Sequence, residues 1–376
     1  MTARHFRRLT SVLALAVWFA APPAVAQIDP RTALFEKAGW DALAADQVHA
    51  AAESFRAALA ADPRNARLHL GAGLAAYLER RDADARLELE RALALDPKLS
   101  EARLVLAQVQ HRMGDVQTAI STLELASADT PDDAVHKDAR ATLERWRREV
   151  ELHDRMEQAI GSHFTVSFEG PSEEALASEA LASLDRAYWR IGAILGAFPT
   201  AAVPVVLYTT EQFRDITRSP SWAAGAYDGT IRVPMRGALE NRRELDRVLA
   251  HEFTHALVRT IGAPSAAAAR GVPTWLNEGL ASALEADDLK WAEERVRGAA
   301  APLPLQALQS GFSRLDGAQA QLAYATSALA VRRMLDEAGG AAVANLLRDL
   351  GEGVDFETAF LHRIQRSFAD FQSRAF

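Results

Sequence analysis

The sequence predicts a mainly α protein in which an N-terminal α-solenoid of paired helices is followed by an α+β domain. Three observations predict it. Pro63, Pro97 and Pro131 recur at a spacing of 34 residues. From His163 a helical pattern gives way to the strand-like alternation of "HFTVSFEG". Beyond about residue 240 helices return, and one of them carries "HEFTH" at 251–255.

The chain starts with "MTARHFRRLTSVLALAVWFAAPPAVAQ", in which three arginines precede an apolar run that Pro22-Pro23 ends before Ala24-Val25-Ala26. That order of charge, short apolar core and small residues predicts a signal peptide, residues 1–26, cut after Ala26. The run is too short to span a bilayer comfortably, and no later segment is a transmembrane candidate. A soluble mature chain in a periplasm or outside the cell is expected. Removing Arg4, Arg7 and Arg8 takes the formal charge from −8 to −11, which argues against nucleic acid as a partner. With no cysteine, the chain has no disulfide, thiolate ligand or lipoprotein anchor, so His, Asp or Glu must hold any metal.

Residues 27–133 are expected to be three helix pairs. The turns "ADPRNA", "LDPKLS" and "DTPDDA" carry the three prolines, each of which stops the second helix of its pair. In the same register Ala51, Ala85 and Ala119 take a small-residue crossing position. Phe55, Leu89 and Leu123 take a large apolar position, and Gly39, Gly73 and Ala107 a second small one. Period and residue type together resemble the tetratricopeptide repeat family. A stripe of Val135, Leu143, Trp146, Val150 and Met156 then predicts one capping or linker helix over 134–160, with Trp146 in the core.

A second domain is expected over 161–376. "HFTVSFEG" and "VPVVLYTT" read as strands separated by a helix ending near Gly196. "GAYDGTIRVP" reads as a hairpin or edge strand turning at Asp228-Gly229. Helices follow over about 240–261, 273–287 and 319–338, with two short ones at the end.

His251 and His255 are four residues apart on a helix whose apolar side is Leu245, Val248, Leu249, Phe253, Ala256 and Leu257. One helical turn puts both imidazoles on one face, where they can take two corners of a tetrahedron around an ion. Glu252, next to His251, points toward the same cleft as a candidate base for a water. "PTWLNEGLA" supplies Glu278 as a third ligand, 23 residues after His255 on another helix. Taken alone, Glu278 could equally serve a helix N-terminus. Two imidazoles and a carboxylate suit zinc, one Zn2+ per chain, and leave a fourth position open.

"HEFTH" followed by "WLNEGLA" resembles the gluzincin metallopeptidases, and "AYATSALAVRRML" resembles a later segment of the zinc aminopeptidases in that group. The chain is most similar to bacterial peptidase-MA-like domains preceded by tetratricopeptide repeats, over about 164–340. The resemblance implies a zinc peptidase with His251, His255 and Glu278 as metal ligands, Glu252 as catalytic base and Tyr324 as donor to the oxyanion. Ser327 stands where the family segment has glycine. Nothing matches the G-x-M-E-N segment that grips a free amino terminus, which favours an endopeptidase over an aminopeptidase. Tyr227 and Arg232 are further candidates for holding substrate or intermediate, whereas Trp222, Trp275 and Trp291 read as packing residues.

The expected function is therefore an exported zinc metallopeptidase acting on a protein or peptide. Its repeat groove would recruit a protein partner or hold a substrate segment. The alternatives are a non-catalytic cell-envelope scaffold or binding protein with a peptidase-like domain, and a zinc hydrolase of a non-peptide amide.

Overall fold

The computed structural model describes residues 30–45, 47–79, 81–128, 134–217, 225–234, 241–262, 272–301, 303–309, 312 and 315–373. The expected signal peptide, Pro131 and Trp222 lie outside the described residues. Among the described residues the chain is mostly helical, with sixteen α-helices and one five-stranded sheet.

The first six helices pack as consecutive pairs: α1 (Pro30–Ala44) with α2 (Val48–Ala61), α3 (Ala66–Leu78) with α4 (Asp82–Leu95), and α5 (Ser100–Arg112) with α6 (Val116–Ala128). Ala51, Ala85 and Ala119 are fully buried, as are Phe55 and Leu89, and Leu123 nearly so. The small positions are dictated by these large ones. A Cβ on Gly39 would lie 2.7 Å from the Phe55 ring, and one on Gly73 the same distance from Leu89 Cγ. Pro63 and Pro97 open the turns after α2 and α4, where a ring without an N–H cannot continue a helix.

Helix α7 (Ala134–His153) closes the stack, with Trp146 buried and stacked on His111 at a ring separation of 4.4 Å. The expected helix over 134–160 is too long, because α7 stops at His153 and Glu157–Ile160 is a strand, β1. No apolar stripe continues there: Glu157, Gln158 and Ile160 are all exposed. The Gly161 N–H donates to Phe164 O at 2.8 Å, and this turn folds β1 back as an antiparallel partner of β2 (Phe164–Phe168). The ladder satisfies the backbone without burying a helix face.

The sheet adds β3 (Val203–Tyr208), β4 (Ala226–Tyr227) and β5 (Ile231–Pro234) in the order β1-β2-β3-β5-β4. The central pairs are parallel and the two outer pairs antiparallel. Helix α8 (Glu174–Leu195) crosses from β2 to β3 and ends at Gly196 in the left-handed region. A short α9 (Thr210–Thr217), not foreseen from the sequence, follows β3. Then come α10 (Arg242–Ile261), α11 (Thr274–Leu284), an unforeseen α12 (Lys290–Arg297) and α13 (Gly317–Ala338). Three helices end the chain where two were expected: α14 (Gly340–Gly351), α15 (Phe356–Ile364) and α16 (Phe368–Ser373). The core lies between the sheet and these helices. Phe253 of α10 meets Phe164 of β2 edge-on, and Trp275 of α11 stacks on Phe368.

A buried ionic cluster joins the repeats to the sheet. Glu149 of α7, fully buried, accepts from His111 of α5 at 2.8 Å and from Arg232 of β5 at 2.9 Å. Arg232 also donates to Asp228 at 3.2 Å and to the Tyr208 hydroxyl at 2.7 Å. That hydroxyl in turn meets His153 at 2.6 Å. Burial alone would raise the Glu149 pKa, but the His111 hydrogen bond and the Arg232 charge overcome it and hold it at about 2. Burial moves the His153 pKa the other way, below its ordinary value.

Candidate metal centre

Helix α10 begins at Asn241, whose side chain accepts from the Glu244 N–H at 3.2 Å. Its apolar side is the one expected: Leu245, Val248, Leu249, Phe253, Ala256 and Leu257 are all buried. That packing turns His251 and His255 toward a cleft, their ring centroids 4.9 Å apart. Helix α11 starts after Pro273 and packs on α10, bringing Glu278 opposite the two rings. Glu278 Oε2 lies 3.7 Å from His251 Nε2 and 3.6 Å from His255 Nε2. All three ligand atoms fall within 4.8 Å of one another. A tetrahedral zinc with bonds of ~2.1 Å has ligand-to-ligand edges of about 3.4 Å, so the spacing fits.

The opposite ring nitrogens are held as a metal site requires. His251 Nδ1 donates to Glu285 Oε2 at 2.7 Å and His255 Nδ1 to Asn277 Oδ1 at 3.2 Å, which leaves both Nε2 lone pairs facing the common point. Glu285 is fixed by Arg247, one turn before His251, at 2.9 Å. Neither Glu285 nor Asn277 was singled out from the sequence. The signal was present, since Glu285 follows Glu278 by two helical turns and Asn277 adjoins it.

The charge balance also calls for a cation. Burial disfavours a charged His251, yet hydrogen bonds to Glu278 and Glu285 and the charge of Glu252 raise its pKa to about 10. Burial raises Glu252 above the usual carboxylate range against the pull of both histidines. Glu278 is lowered despite its burial, by His255 and His251 and by a hydrogen bond from Tyr324. Tyr324 itself is raised, first by burial and then by the charges of Glu278 and Glu252.

The hairpin of β4 and β5 covers Glu252. A Cβ on Gly225 would lie 2.5 Å from Glu252 Oε1, so only glycine permits the approach. Tyr227, expected as a candidate, lines the cleft. Arg232, expected with it, does not; its guanidinium is spent on Glu149, Asp228 and Tyr208. Trp275 is core as expected, whereas Trp291 is 39% exposed and lines the cleft. The departure at Ser327 has a structural counterpart. Its carbonyl would be 2.6 Å from a Cβ on Gly279, so α11 supplies the small residue at that crossing with α13.

Two imidazoles and a carboxylate converging from packed helices, below a small mixed sheet and behind helix-pair repeats, define a repeat protein with a metallopeptidase-like centre. Residues 184–366 match the Peptidase MA superfamily, and residues 36–100 and 76–143 match two tetratricopeptide repeat families. The chain thus carries a Peptidase MA superfamily domain preceded by tetratricopeptide repeats. No curated protein matches it. Among solved structures, the Arabidopsis OM64 TPR domain matches at 18% identity, covering 32% of this chain and 96% of that one with a TM-score of 0.30.

Proposed function

We propose that this protein is an exported, zinc-dependent metallopeptidase of the gluzincin type that cuts within peptide chains. The observation that carries the reading is the convergence of His251 Nε2, His255 Nε2 and Glu278 Oε2, with both Nδ1 atoms already engaged. The match of residues 184–366 to the Peptidase MA superfamily adds to it. A bound zinc supplies Lewis acidity, lowering the pKa of a water and polarising the scissile carbonyl.

The chain's own groups do the rest. Glu252, its pKa raised by burial, takes the proton of the attacking water and passes it to the leaving amine. Tyr324, which lines the cleft with Glu278, donates to the carbonyl oxygen as negative charge develops there. Glu285, Arg247 and Asn277 keep the imidazoles oriented. An endopeptidase is favoured because Asp228, the acid on the β4–β5 turn, is committed to Arg232 and to the Thr230 N–H, and cannot grip an amino terminus.

The test is metal content by elemental analysis on the chain from Gln27, as wild type, Glu278→Ala and Glu252→Gln, each assayed on casein with and without a chelator. Near-stoichiometric zinc, lost in Glu278→Ala but kept in Glu252→Gln, is expected with chelator-sensitive cleavage that Glu252→Gln lowers ~100-fold or more. A folded wild type that neither carries nor takes up zinc would overturn the reading. Zinc with no cleavage of casein or other peptides would favour the scaffold alternative.

A further inference from the structure

The cleft at the metal centre is larger than the peptidase domain alone would make it. It encloses about 1310 Å³, above the ~300–1,000 Å³ of a small-molecule site. One wall comes from the repeats: Glu79, Arg81, Asp82 and Ala83 at the α3–α4 turn, and Arg112 and Met113 at the end of α5. These are the turns on the edge of the stack. A peptide lying over the metal centre therefore also runs past the repeats.

Six carboxylates and five guanidiniums line this cleft. Every carboxylate is committed. Glu79 pairs with Arg81, Asp82 with Arg112, Asp228 with Arg232, and Glu285 with Arg247 and His251. Glu278 and Glu252 belong to the metal centre. Three of the arginines, Arg81, Arg112 and Arg247, are thereby matched. Arg259 and Arg295 are not.

Arg259 follows His255 by one turn of α10 and is exposed. Its Nη1 donates to the carbonyl of Asp228 at 3.1 Å, pinning the guanidinium beside the β4–β5 turn with most of its five N–H groups unused. Arg295 of α12, also exposed, is held by Gln321 of α13, one turn before Tyr324. Among the described residues neither has a carboxylate partner. One stands on the hairpin and repeat side of the metal centre, the other on the α12–α13 side. Each is anchored by a neutral oxygen, so its position is fixed while its charge is left uncompensated. Arginine in that state is suited to a carboxylate.

We propose that Arg259 and Arg295 are specificity residues that take acidic side chains of the substrate on opposite sides of the scissile bond, so that the cleft selects acidic peptide segments. The assignment rests on the peptidase reading for the word scissile. The pair of carboxylate sites itself is a matter of binding. Elsewhere the chain is acidic, so attraction for such a segment has to be local to the cleft.

The test uses the full chain carrying Glu252→Gln, loaded with zinc, and a library of ten-residue peptides in which Glu, Gln or Lys is placed at each position in turn. Binding is read by fluorescence anisotropy. Glu should bind ~10-fold or more tightly than Gln at two positions, as expected for a charge-assisted hydrogen bond replaced by a neutral one. Adding Arg259→Gln should erase the preference at one position and Arg295→Gln at the other. Arg259→Glu should turn its position toward Lys. Equal affinities for Glu and Gln peptides, or preferences that survive both substitutions, would overturn the proposal. Cleavage of the same library by the wild type separates the two readings. Turnover without an arginine-dependent preference defeats the carboxylate sites alone, and an arginine-dependent preference without turnover defeats the peptidase reading alone.

Discussion

Glu252 and Gly225 show how closely the centre is fitted at the scale of single residues. Glu252 is buried beside two imidazoles and the hairpin, and Gly225 leaves no space for a methyl group above its carboxylate. Gly225→Ala is expected to turn the Glu252 side chain out of line and lower kcat about 10-fold or more, because a displacement near 1 Å at a reacting group has effects of that size. Zinc content is expected to stay at the wild-type level, since the three atoms nearest the added methyl all belong to Glu252. Steady-state kinetics beside elemental analysis checks both. An unchanged kcat would mean that the hairpin does not hold Glu252 in place.

Among elements, the crossing of α11 and α13 sets where Glu278 and Tyr324 meet. Gly279 lies one residue after Glu278 and faces the backbone of Ser327, three residues after Tyr324. Gly279→Ala would place a Cβ 2.6 Å from a carbonyl and 2.7 Å from Val331 Cγ2, and the helices would have to separate. The expected cost is ~1–3 kcal/mol, seen as a fall of several degrees in Tm by thermal unfolding, with weaker zinc retention. The same helices show what the sequence makes legible. His251, Glu252, His255 and Glu278 could be read because one-turn spacing and a flanking apolar face are local properties. The repeat register could be read because the same sites recur every 34 residues. β1 could not, because its strand state comes from pairing with β2 and not from its own four residues. Arg232 was misplaced for a related reason. Its partner Glu149 is 83 residues away, and no local pattern announces the pair. Glu285 was legible as a helical repeat of Glu278, but its purpose appears only when His251 Nδ1 is seen to face it.

For the whole molecule, the ionic cluster at Glu149 links stability to acidity. Its folded pKa of about 2 lies below the ordinary value of 4.5, so its contribution is complete above about pH 4.5 and is lost as pH falls toward 2. The depressed pKa of His153 acts in the same sense, beginning in the ordinary histidine range. Acid should therefore destabilise the wild type by about 2 kcal/mol through Glu149 between pH 7 and pH 3, measurable by urea unfolding at the two pH values. Glu149→Gln leaves the buried Arg232 with Asp228 as its remaining carboxylate partner among the described residues and should cost up to ~3–5 kcal/mol at pH 7 while flattening that part of the pH dependence. An unaltered pH profile in the variant would show that Glu149 is not the group responsible.

The same contact bears on how such a chain can be recombined. The fully buried one of the two carboxylates paired with Arg232 is borne by α7, on the repeat side of the junction, while the guanidinium belongs to the sheet. The two halves are therefore not interchangeable cassettes. A chimera grafting this peptidase domain onto a foreign repeat array has to bring an acid to the place of Glu149, or exchange Arg232 for an apolar residue in the same step, and Asp228 at the rim of the cleft would then have to find a different anchor.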